Sequence, residues 1–333
     1  LINRLETSGL TLDTLNLGIS QNGKQLAYFV RLANRPGNIE QMALIAVGGY
    51  AEENRVTARI RQRNRADSTG FSFGLNGELL DSAIRVQLTP ENPTLGYVPW
   101  RVNPDNYLQY NFDGAMAANL LLEGPTAGKH IYIRSSGIDP SMESGALRLD
   151  MKGIDIGNAL ELLPAPPAIA GMLNTDIAVG FYRGQLVAGG NVSVDDLAYD
   201  GRRVGNVGAD LNFQSDSLNR FMLDAKLLAD NNTVLTAEGT YLTGGDGSLA
   251  FRVTIPSLPM TLANAFLPED AAQLEGALTG WMSISGSTAN PVINGEIRFN
   301  EGRVRAPMIG TTYGLASTPI LFNNSTPNLN RSS

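Results

Sequence analysis

The stretch GWMSISGSTANPVINGEIRFNEGRV, from Gly280 to Val304, alternates apolar and polar residues, breaks, and alternates again. Ile297 and Phe299 fall on one side of such a ribbon, whereas the charged residue between them, Arg298, falls on the other. A period of two with one apolar side is typical of a strand that is half buried and half exposed to water. The stretch therefore predicts β-structure, and it offers little that could carry out a reaction.

The same alternation recurs along the chain, whereas helical patterns are few and short. Two segments, 156–164 and 261–271, each predict about two helical turns that end at or near a proline. Without long helices between the strands, a parallel α/β sheet is disfavoured, and an all-β antiparallel meander is predicted. The apolar residues that we predict to face inward are Leu147, Leu149, Met151, Leu249, Phe251, Val253, Ile284, Ile297 and Phe299.

Asn-Gly and Asp-Gly pairs separate many of these runs and predict turns, because both residues readily take a positive φ. Asn22-Gly23 and Asn294-Gly295 are two such pairs. Gly295 lies within an otherwise continuous alternation, so a bulge is the alternative prediction there.

A strand-rich unit occurs twice in the sequence. GALRLDMKGIDIGNALELLP begins at Gly145, and GSLAFRVTIPSLPMTLANAFLP begins at Gly247. Gly171 and Gly276 then occupy matching positions, as do Gly190 and Gly295, which predicts stacked repeats that share one core. We expect an N-terminal β-rich segment at 1–144, a first repeat at 145–246 and a second repeat at 247–333 that is truncated at its C-terminus.

The amino-acid composition excludes several classes of function. The chain has 333 residues, is 43% hydrophobic and 17% charged, and carries a formal net charge of −7. An acidic chain of this kind is not expected to bind nucleic acid. The absence of cysteine excludes disulfides and thiolate chemistry. No apolar run is long enough to span a membrane, and the first residues predict an internal piece of a longer protein.

Candidate catalytic residues are few. His130 is the single histidine, in the segment GPTAGKHIYIR, whose spacing departs from that of a phosphate-binding loop. A hairpin turn is the favoured interpretation. With one histidine and no cysteine, no catalytic triad, metal site or cofactor is predicted, and the chain is not expected to be an enzyme.

One charge pattern stands out. Arg59, Arg61, Arg63 and Arg65 recur at every second position of RVTARIRQRNR. In a strand they form a basic stripe, which phosphate groups could use. The favoured interpretation is an exposed face whose charges oppose edge-to-edge aggregation.

The apolar face itself allows two architectures. In a closed β-sandwich, two such faces meet and form a dry core. In an open or rolled sheet, they line a groove that an apolar ligand fills. The alternation is compatible with both. The scarcity of helices and the repeat shift the balance towards the groove, in an elongated antiparallel β-sheet, but they do not decide between the two architectures.

The segment from Leu274 to Phe322 resembles the repeated unit of the TamB family, within the AsmA-like group of bacterial envelope proteins. The family pattern is a Gly-x-Leu-x-Gly strand, a Ser-Gly-Ser link to a proline, a Gly-x-Ile-x-Phe strand and a Val-x-Val-Pro-like strand. The residues that carry this resemblance are Gly276, Leu278, Gly280, Ser285, Gly286, Ser287, Pro291, Gly295, Ile297, Phe299, Val304, Ala306 and Pro307.

The resemblance implies a long, incompletely closed β-structure, an antiparallel sheet rolled into an open, taco-like groove or hydrophobic channel. It implies a periplasmic segment of a protein anchored in the inner membrane of a Gram-negative bacterium. It also implies an outer-membrane partner of the BamA superfamily, TamA-like, and roles in phospholipid transport and in the assembly of outer-membrane β-barrel proteins.

Three functions therefore compete. The leading hypothesis is a lipid-conducting segment that binds phospholipid acyl chains by burial alone, without a cofactor. The second is a scaffold that guides outer-membrane strands by pairing them to its own sheet edge. The third, a carbohydrate-directed enzyme, is the weakest, because no acid/base pair is evident in the sequence.

Overall fold

A computed structural model describes residues 5–7, 10–35, 43–89, 93–135, 146–161, 163, 167–216, 220–243, 247–268 and 272–329. Its contacts divide the chain into two units, Leu1–Pro167 and Ala168–Ser333. The repeat boundaries at 144/145 and 246/247 fall at residues outside the described ranges, apart from Gly247, and stay a prediction.

The first unit consists almost entirely of strands. The one α-helix among its described residues, α1, spans Ile156–Leu160, within the predicted segment 156–164. Pro164, the predicted end of that segment, lies outside the described residues. The strands are β1 Leu5–Thr7, β2 Leu10–Leu12, β3 Thr14–Asn22, β4 Gln25–Ala33, β5 Leu44–Glu52, β6 Arg55–Arg63, β7 Thr69–Leu79, β8 Ala83–Leu88, β9 Thr94–Leu95, β10 Val98–Pro99, β11 Arg101–Val102, β12 Tyr107–Asn111, β13 Met116–Glu123, β14 His130–Arg134 and β15 Leu147–Asp155.

The second unit has longer strands and two 3₁₀ helices, Met260–Phe266 and Pro307–Ile309. Its strands are β16 Ile169–Tyr182, β17 Gln185–Tyr199, β18 Arg202–Ser215, β19 Arg220–Ala229, β20 Asn232–Leu242, β21 Ser248–Pro259, β22 Gln273–Gly286, β23 Pro291–Ala306, β24 Thr311–Gly314, β25 Ile320–Asn323 and β26 Thr326–Leu329.

Every strand pairing that the structure describes in the two units is antiparallel. In the first unit, β3 to β8 pair in chain order, β12 pairs with β8, and β13, β14 and β15 follow. In the second unit, β16 to β23 pair in chain order, and β24 and β25 both pair with β23. The structure is 71% strand and 5% helix, and the sheet is open. The predicted all-β antiparallel fold is confirmed.

Glycines mark matching positions in the two predicted repeats. The pairing register shifts at Gly171 in β16 and at Gly276 in β22, so both positions are bulges. Gly190 and Gly295 instead lie in regular pairs, at φ 147° and 155°. Adding a Cβ to Gly295 would place it 2.3 Å from the Trp281 carbonyl oxygen.

The predicted turn or bulge at Asn294-Gly295 is therefore wrong. The pair lies inside β23, where Gly295 is directly opposite Met282 without a register shift. Glycine is required at this position because the neighbouring strand backbone is too close to admit a side chain. Asn22-Gly23 does form the predicted turn, with Gly23 at φ 61° between β3 and β4.

The 3₁₀ helix Met260–Phe266 packs against β17, β18 and β22 and is held there by Asn264. The Asn264 Nδ2 group donates to the Leu274 carbonyl oxygen at 2.9 Å, and the Leu274 amide donates to Asn264 Oδ1 at 2.7 Å. Met260 and Ala265 of this helix are buried. The Asn264 side chain thus supplies a hydrogen-bond partner for both backbone groups of Leu274, at the start of β22, where a neighbouring strand would otherwise supply them.

Asn264→Ala should lower the free energy of unfolding by about 1–3 kcal/mol, because it leaves two backbone groups of Leu274 without their partner. Chemical denaturation measures this change. Asn232→Ala is the control, since Asn232 is exposed and makes one side-chain bond to the Asp230 carbonyl oxygen. An equal loss of stability in the two variants would contradict the role given to Asn264.

Candidate functional site

Register places apolar side chains on one face of the second unit. Residues directly opposite each other on antiparallel strands share a face, so a chain of opposed residues can be followed from β16 to β23. The first such row is Val179, Ala188, Phe213, Leu223, Gly239, Phe251, Ile284 and Ile293.

A second row lies next to the first on the same face. It contains smaller residues, including two glycines and two alanines, which leave more space above the sheet. The row is Ile177, Gly190, Leu211, Ala225, Ala237, Val253, Met282 and Gly295. Neither row contains a charged side chain. We call the face formed by these two rows the apolar face.

The opposite face of the same strands is polar. The row that alternates with the two apolar rows is Ala178, Gly189, Asn212, Asp224, Glu238, Arg252, Ser283 and Asn294. One side of the sheet is therefore suited to water and the other to hydrocarbon.

The apolar face is only partly covered. Val253 is 8% exposed, but Val179 and Leu211 are each 38% exposed. In a dry β-sandwich core, residues that face inward are packed against a second sheet. The exposure of Val179 and Leu211, together with the open sheet, favours the groove over the sandwich.

Aromatic rings cluster beside the first apolar row. The ring centroids of Phe213 and Phe221 are 5.3 Å apart, and those of Phe221 and Tyr241 are 6.3 Å apart. Phe221 and Tyr241 are directly opposed on β19 and β20, so the rings form a band across three neighbouring strands. This band gives one margin of the apolar face a bulky lining, in contrast to the small residues of the second row.

Six of the nine residues predicted to face inward lie on this face. Phe251 is opposite Ile284, and Leu249 and Val253 flank Phe251 at alternate positions of β21. Ile297 is opposite Gly280, and Phe299 is opposite Leu278. Their contact with a ligand stays a proposal.

The other three predicted residues belong to the first unit. Leu149 is opposite Ile133, and Met151 is opposite Ile131, on the neighbouring strand β14. Leu147 lies at the next alternate position of β15, so all three share an apolar face within their own unit. Their proposed role as groove-lining residues likewise remains untested.

Sequence reasoning did not name the apolar residues of β16 to β20. Leu211 and Phe213 flank the polar Asn212, and Leu223 and Ala225 flank Asp224, so the signal was present. Gly190 and Gly239 interrupt the alternation, because each occupies an apolar-row position without a side chain. The period-two pattern is therefore clear in β21 and weaker in the strands before it.

His130 lies at the start of β14, and the preceding segment forms the predicted hairpin turn. The Gly124 amide donates to the Lys129 carbonyl oxygen at 2.8 Å. His130 Nε2 is 3.0 Å from Asp150 Oδ1, and Lys129 Nζ lies 5.3 Å from the centre of the Trp100 ring. These contacts connect neighbouring strands and leave no phosphate-binding loop.

The described part of the chain contains no cluster of histidine, aspartate and glutamate that could hold a metal ion. Among the same residues, no helix is long and apolar enough to cross a bilayer. What the arrangement does present is an uncharged apolar surface on one side of the sheet.

Residues 209–332 match the family model of the TamB C-terminal domain. They include the segment whose motif resembled that family. No curated protein and no solved structure shows significant similarity to the chain. Over residues 209–332, the chain is therefore similar to the TamB C-terminal domain, which is consistent with a fragment of a TamB-family protein.

Proposed function

We propose that the apolar face of the second unit binds phospholipid acyl chains, and that this chain is a lipid-conducting segment between the two membranes of the cell envelope. The observation that supports the proposal is the pair of uncharged apolar rows that continue across every strand from β16 to β23. No residue performs a reaction in this function.

The length of the rows suits an acyl chain. Neighbouring strands lie about 4.8 Å apart, so the seven spacings from β16 to β23 extend for about 34 Å along the sheet. The hydrocarbon of one bilayer leaflet is about 15 Å thick. An acyl chain can therefore lie along the rows and move across the strands without leaving apolar contact.

The free energy of transferring a lipid tail out of water favours movement along the apolar rows. Exposing each CH₂ group of a lipid tail to water costs about 0.8 kcal/mol. A continuous apolar lining removes most of that cost, while an open sheet lets the polar headgroup stay in water. Binding by burial alone also holds the tail without a directional bond, so the tail can slide.

The similarity to the TamB C-terminal domain supports a place of action in the cell envelope. TamB proteins belong to the cell envelope and take part in outer-membrane protein assembly and lipid transport. Within this proposal the chain acts in the periplasm, its full-length protein is anchored in the inner membrane, and its outer-membrane partner belongs to the BamA superfamily.

The strand-pairing scaffold is less favoured for the central strands. Each strand from β17 to β22 pairs with a neighbour on both of its edges. A client strand that adds to a sheet needs an unpaired edge. These six strands offer their faces to a ligand instead of their edges.

Native mass spectrometry of the purified chain tests the proposal. We expect mass increments that correspond to intact phospholipids and that persist after removal of detergent. A chain that carries no lipid, and that takes up none when incubated with phospholipid vesicles, would contradict the proposal.

A further inference from the structure

The strand β3 forms one edge of the sheet in the first unit. Among the described residues it pairs only with β4, from Thr14 opposite Ala33 to Asn22 opposite Gln25. It is nine residues long, and its register with β4 shows no bulge. The outer edge of β3 is therefore a long, regular row of backbone groups that no described strand covers.

The turn at the end of β3 determines which backbone groups point outward. Gly23 and Lys24 form a two-residue turn that closes the β3–β4 hairpin at the pair Asn22 and Gln25. In such a hairpin the closing pair exchanges hydrogen bonds, and bonded pairs then alternate with unbonded pairs along the two strands. The even-numbered residues of β3 consequently bond to β4, whereas the odd-numbered residues direct their N–H and C=O groups away from it. These outward-pointing residues are Leu15, Leu17, Ile19 and Gln21.

The side chains of this edge are apolar and exposed. Leu17 is 54% exposed and Ile19 is 76% exposed, on the side of the sheet where Val30 and Tyr28 lie opposite them. A lysine, a proline or a bulge on an edge strand normally opposes the addition of another strand. The strand β3 has none of the three and contains no charged residue. By contrast β26, which in the described part of the chain also pairs on one edge only, is four residues long and contains Pro327.

We propose that the outer edge of β3 pairs antiparallel with the β3 edge of a second copy of this chain. One register pairs all four outward-pointing residues. It places Leu17 opposite Ile19 of the second copy and Leu15 opposite Gln21 of the second copy. Each of these pairs then exchanges both of its backbone hydrogen bonds. Gly18 faces Gly18 of the second copy on the two-fold axis, as an isologous interface requires.

The strand is complementary to itself in three respects. An uncharged strand can meet its own copy without placing like charges opposite each other. Leu17 and Ile19 of the two copies form apolar cross-strand pairs, which bury side chains that are exposed in the single chain. Gly18 has no side chain, and in each copy the Phe29 ring leans over that position. The two Phe29 rings, each 49% exposed in the single chain, therefore meet beside the axis.

Sedimentation velocity of the purified chain over a concentration series tests this proposal. We expect a reversible dimer. Ile19→Lys should weaken dimerisation at least about tenfold, because two lysines then lie close to the axis of each dimer. Met308→Lys is the matched control, since Met308 is 77% exposed in the 3₁₀ helix Pro307–Ile309 and the change in charge is identical. It should change dimerisation less than about threefold.

Leu17→Pro separates backbone pairing from apolar contact. The Leu17 amide points away from β4, so proline removes an outward donor without removing a bond between β3 and β4. We expect dimerisation to weaken at least about tenfold, since each dimer loses the donor twice. Circular dichroism spectra and melting temperatures show whether each variant folds. A folded Leu17→Pro chain that dimerises as well as the unaltered chain would contradict strand pairing.

Introduced cysteines report the register, because the chain has no cysteine of its own. Chains with Leu17→Cys and chains with Ile19→Cys are mixed in equal amounts and oxidised. Opposed residues of a bonded antiparallel pair have Cα atoms about 5.5 Å apart, which is within reach of a disulfide. We expect disulfides between the two kinds of chain in clear excess of the half that random pairing gives. A mixed fraction of one half or less would contradict the register.

Three further outcomes would overturn the proposal. The first is a chain that stays monomeric at about 0.1 mM, far above the concentration that fills a contact of micromolar affinity. The second is an equal weakening of the dimer by Met308→Lys. The third is a monomer in which the Leu17 and Ile19 amides are protected from hydrogen exchange, which would assign the edge to another segment of the same chain.

Discussion

Replacing both Val179 and Leu211 by aspartate is expected to lower the amount of co-purified phospholipid at least about tenfold. Both residues belong to the apolar rows, and each is 38% exposed. Burying an ionised carboxylate against a hydrocarbon tail costs several kcal/mol of free energy. A loss of about 1.4 kcal/mol already lowers the affinity tenfold. Phosphate analysis of extracted lipid and native mass spectrometry measure the loss.

The control for this experiment replaces two residues of similar exposure on the opposite face. Met222 is 37% exposed and Trp281 is 44% exposed, and both lie among polar residues. Met222→Asp with Trp281→Asp should keep the lipid content of the unaltered chain. Equal lipid loss in the two double variants would mean that the apolar face is not the binding surface. Because all four residues are partly exposed, we expect each double variant to remain folded.

The second large effect concerns stability. Gly280→Ala should lower the free energy of unfolding by about 3 kcal/mol or more. Gly280 has φ 145°, and a Cβ there would lie 2.1 Å from the Glu296 carbonyl oxygen. The strand pair β22–β23 would have to separate locally to admit the methyl group. For a unit of this size, the melting temperature should fall by about 6–12 °C.

Gly77→Ala is the matched control for Gly280→Ala. Gly77 also lies inside a strand, but the nearest atom to an added Cβ is the Val56 carbonyl oxygen at 3.6 Å. We expect a change within about 1 kcal/mol in either direction, since alanine fits there and restricts the unfolded chain. Similar melting temperatures for Gly77→Ala and Gly280→Ala would show that close strand approach does not explain the glycine at 280.

Alternation in the sequence predicted the faces of β21 correctly, because side-chain direction in a strand depends only on the backbone period. Leu249, Phe251 and Val253 lie together, and Arg252 lies on the other face. The same rule applies whether or not the sheet closes. The open sheet could not be derived from the alternation alone, because closure depends on strand tilt and on which strands meet at the ends.

Glycine was the residue type that local patterns predicted least well. Asn294-Gly295 has the composition of a turn, yet it continues β23. The decisive contact is with Trp281 on another strand, and a local pattern does not contain that information. Gly171 and Gly276 were matched by the repeat, but their shared role as bulges became visible only through the pairing register.

The arginine stripe shows a similar limit. Its spacing correctly placed Arg59 and Arg61 on one face, because both lie in β6. It did not reveal that β6 ends before Arg65, nor that Ala46 and Gly48 separate the arginines from Arg31 and Phe29. These neighbours come from three different strands, so no single segment of the sequence encodes the arrangement.

Site-specific photo-crosslinking most directly tests whether the apolar face holds lipid. Benzoylphenylalanine is placed at Leu211 in one variant and at Met222 in another, on opposite faces but with nearly equal exposure of 38% and 37%. After irradiation with phospholipid vesicles, we predict phospholipid adducts at position 211 and few or none at position 222. Adducts at 222 in equal or greater yield, or none at 211, would contradict acyl-chain binding by this face.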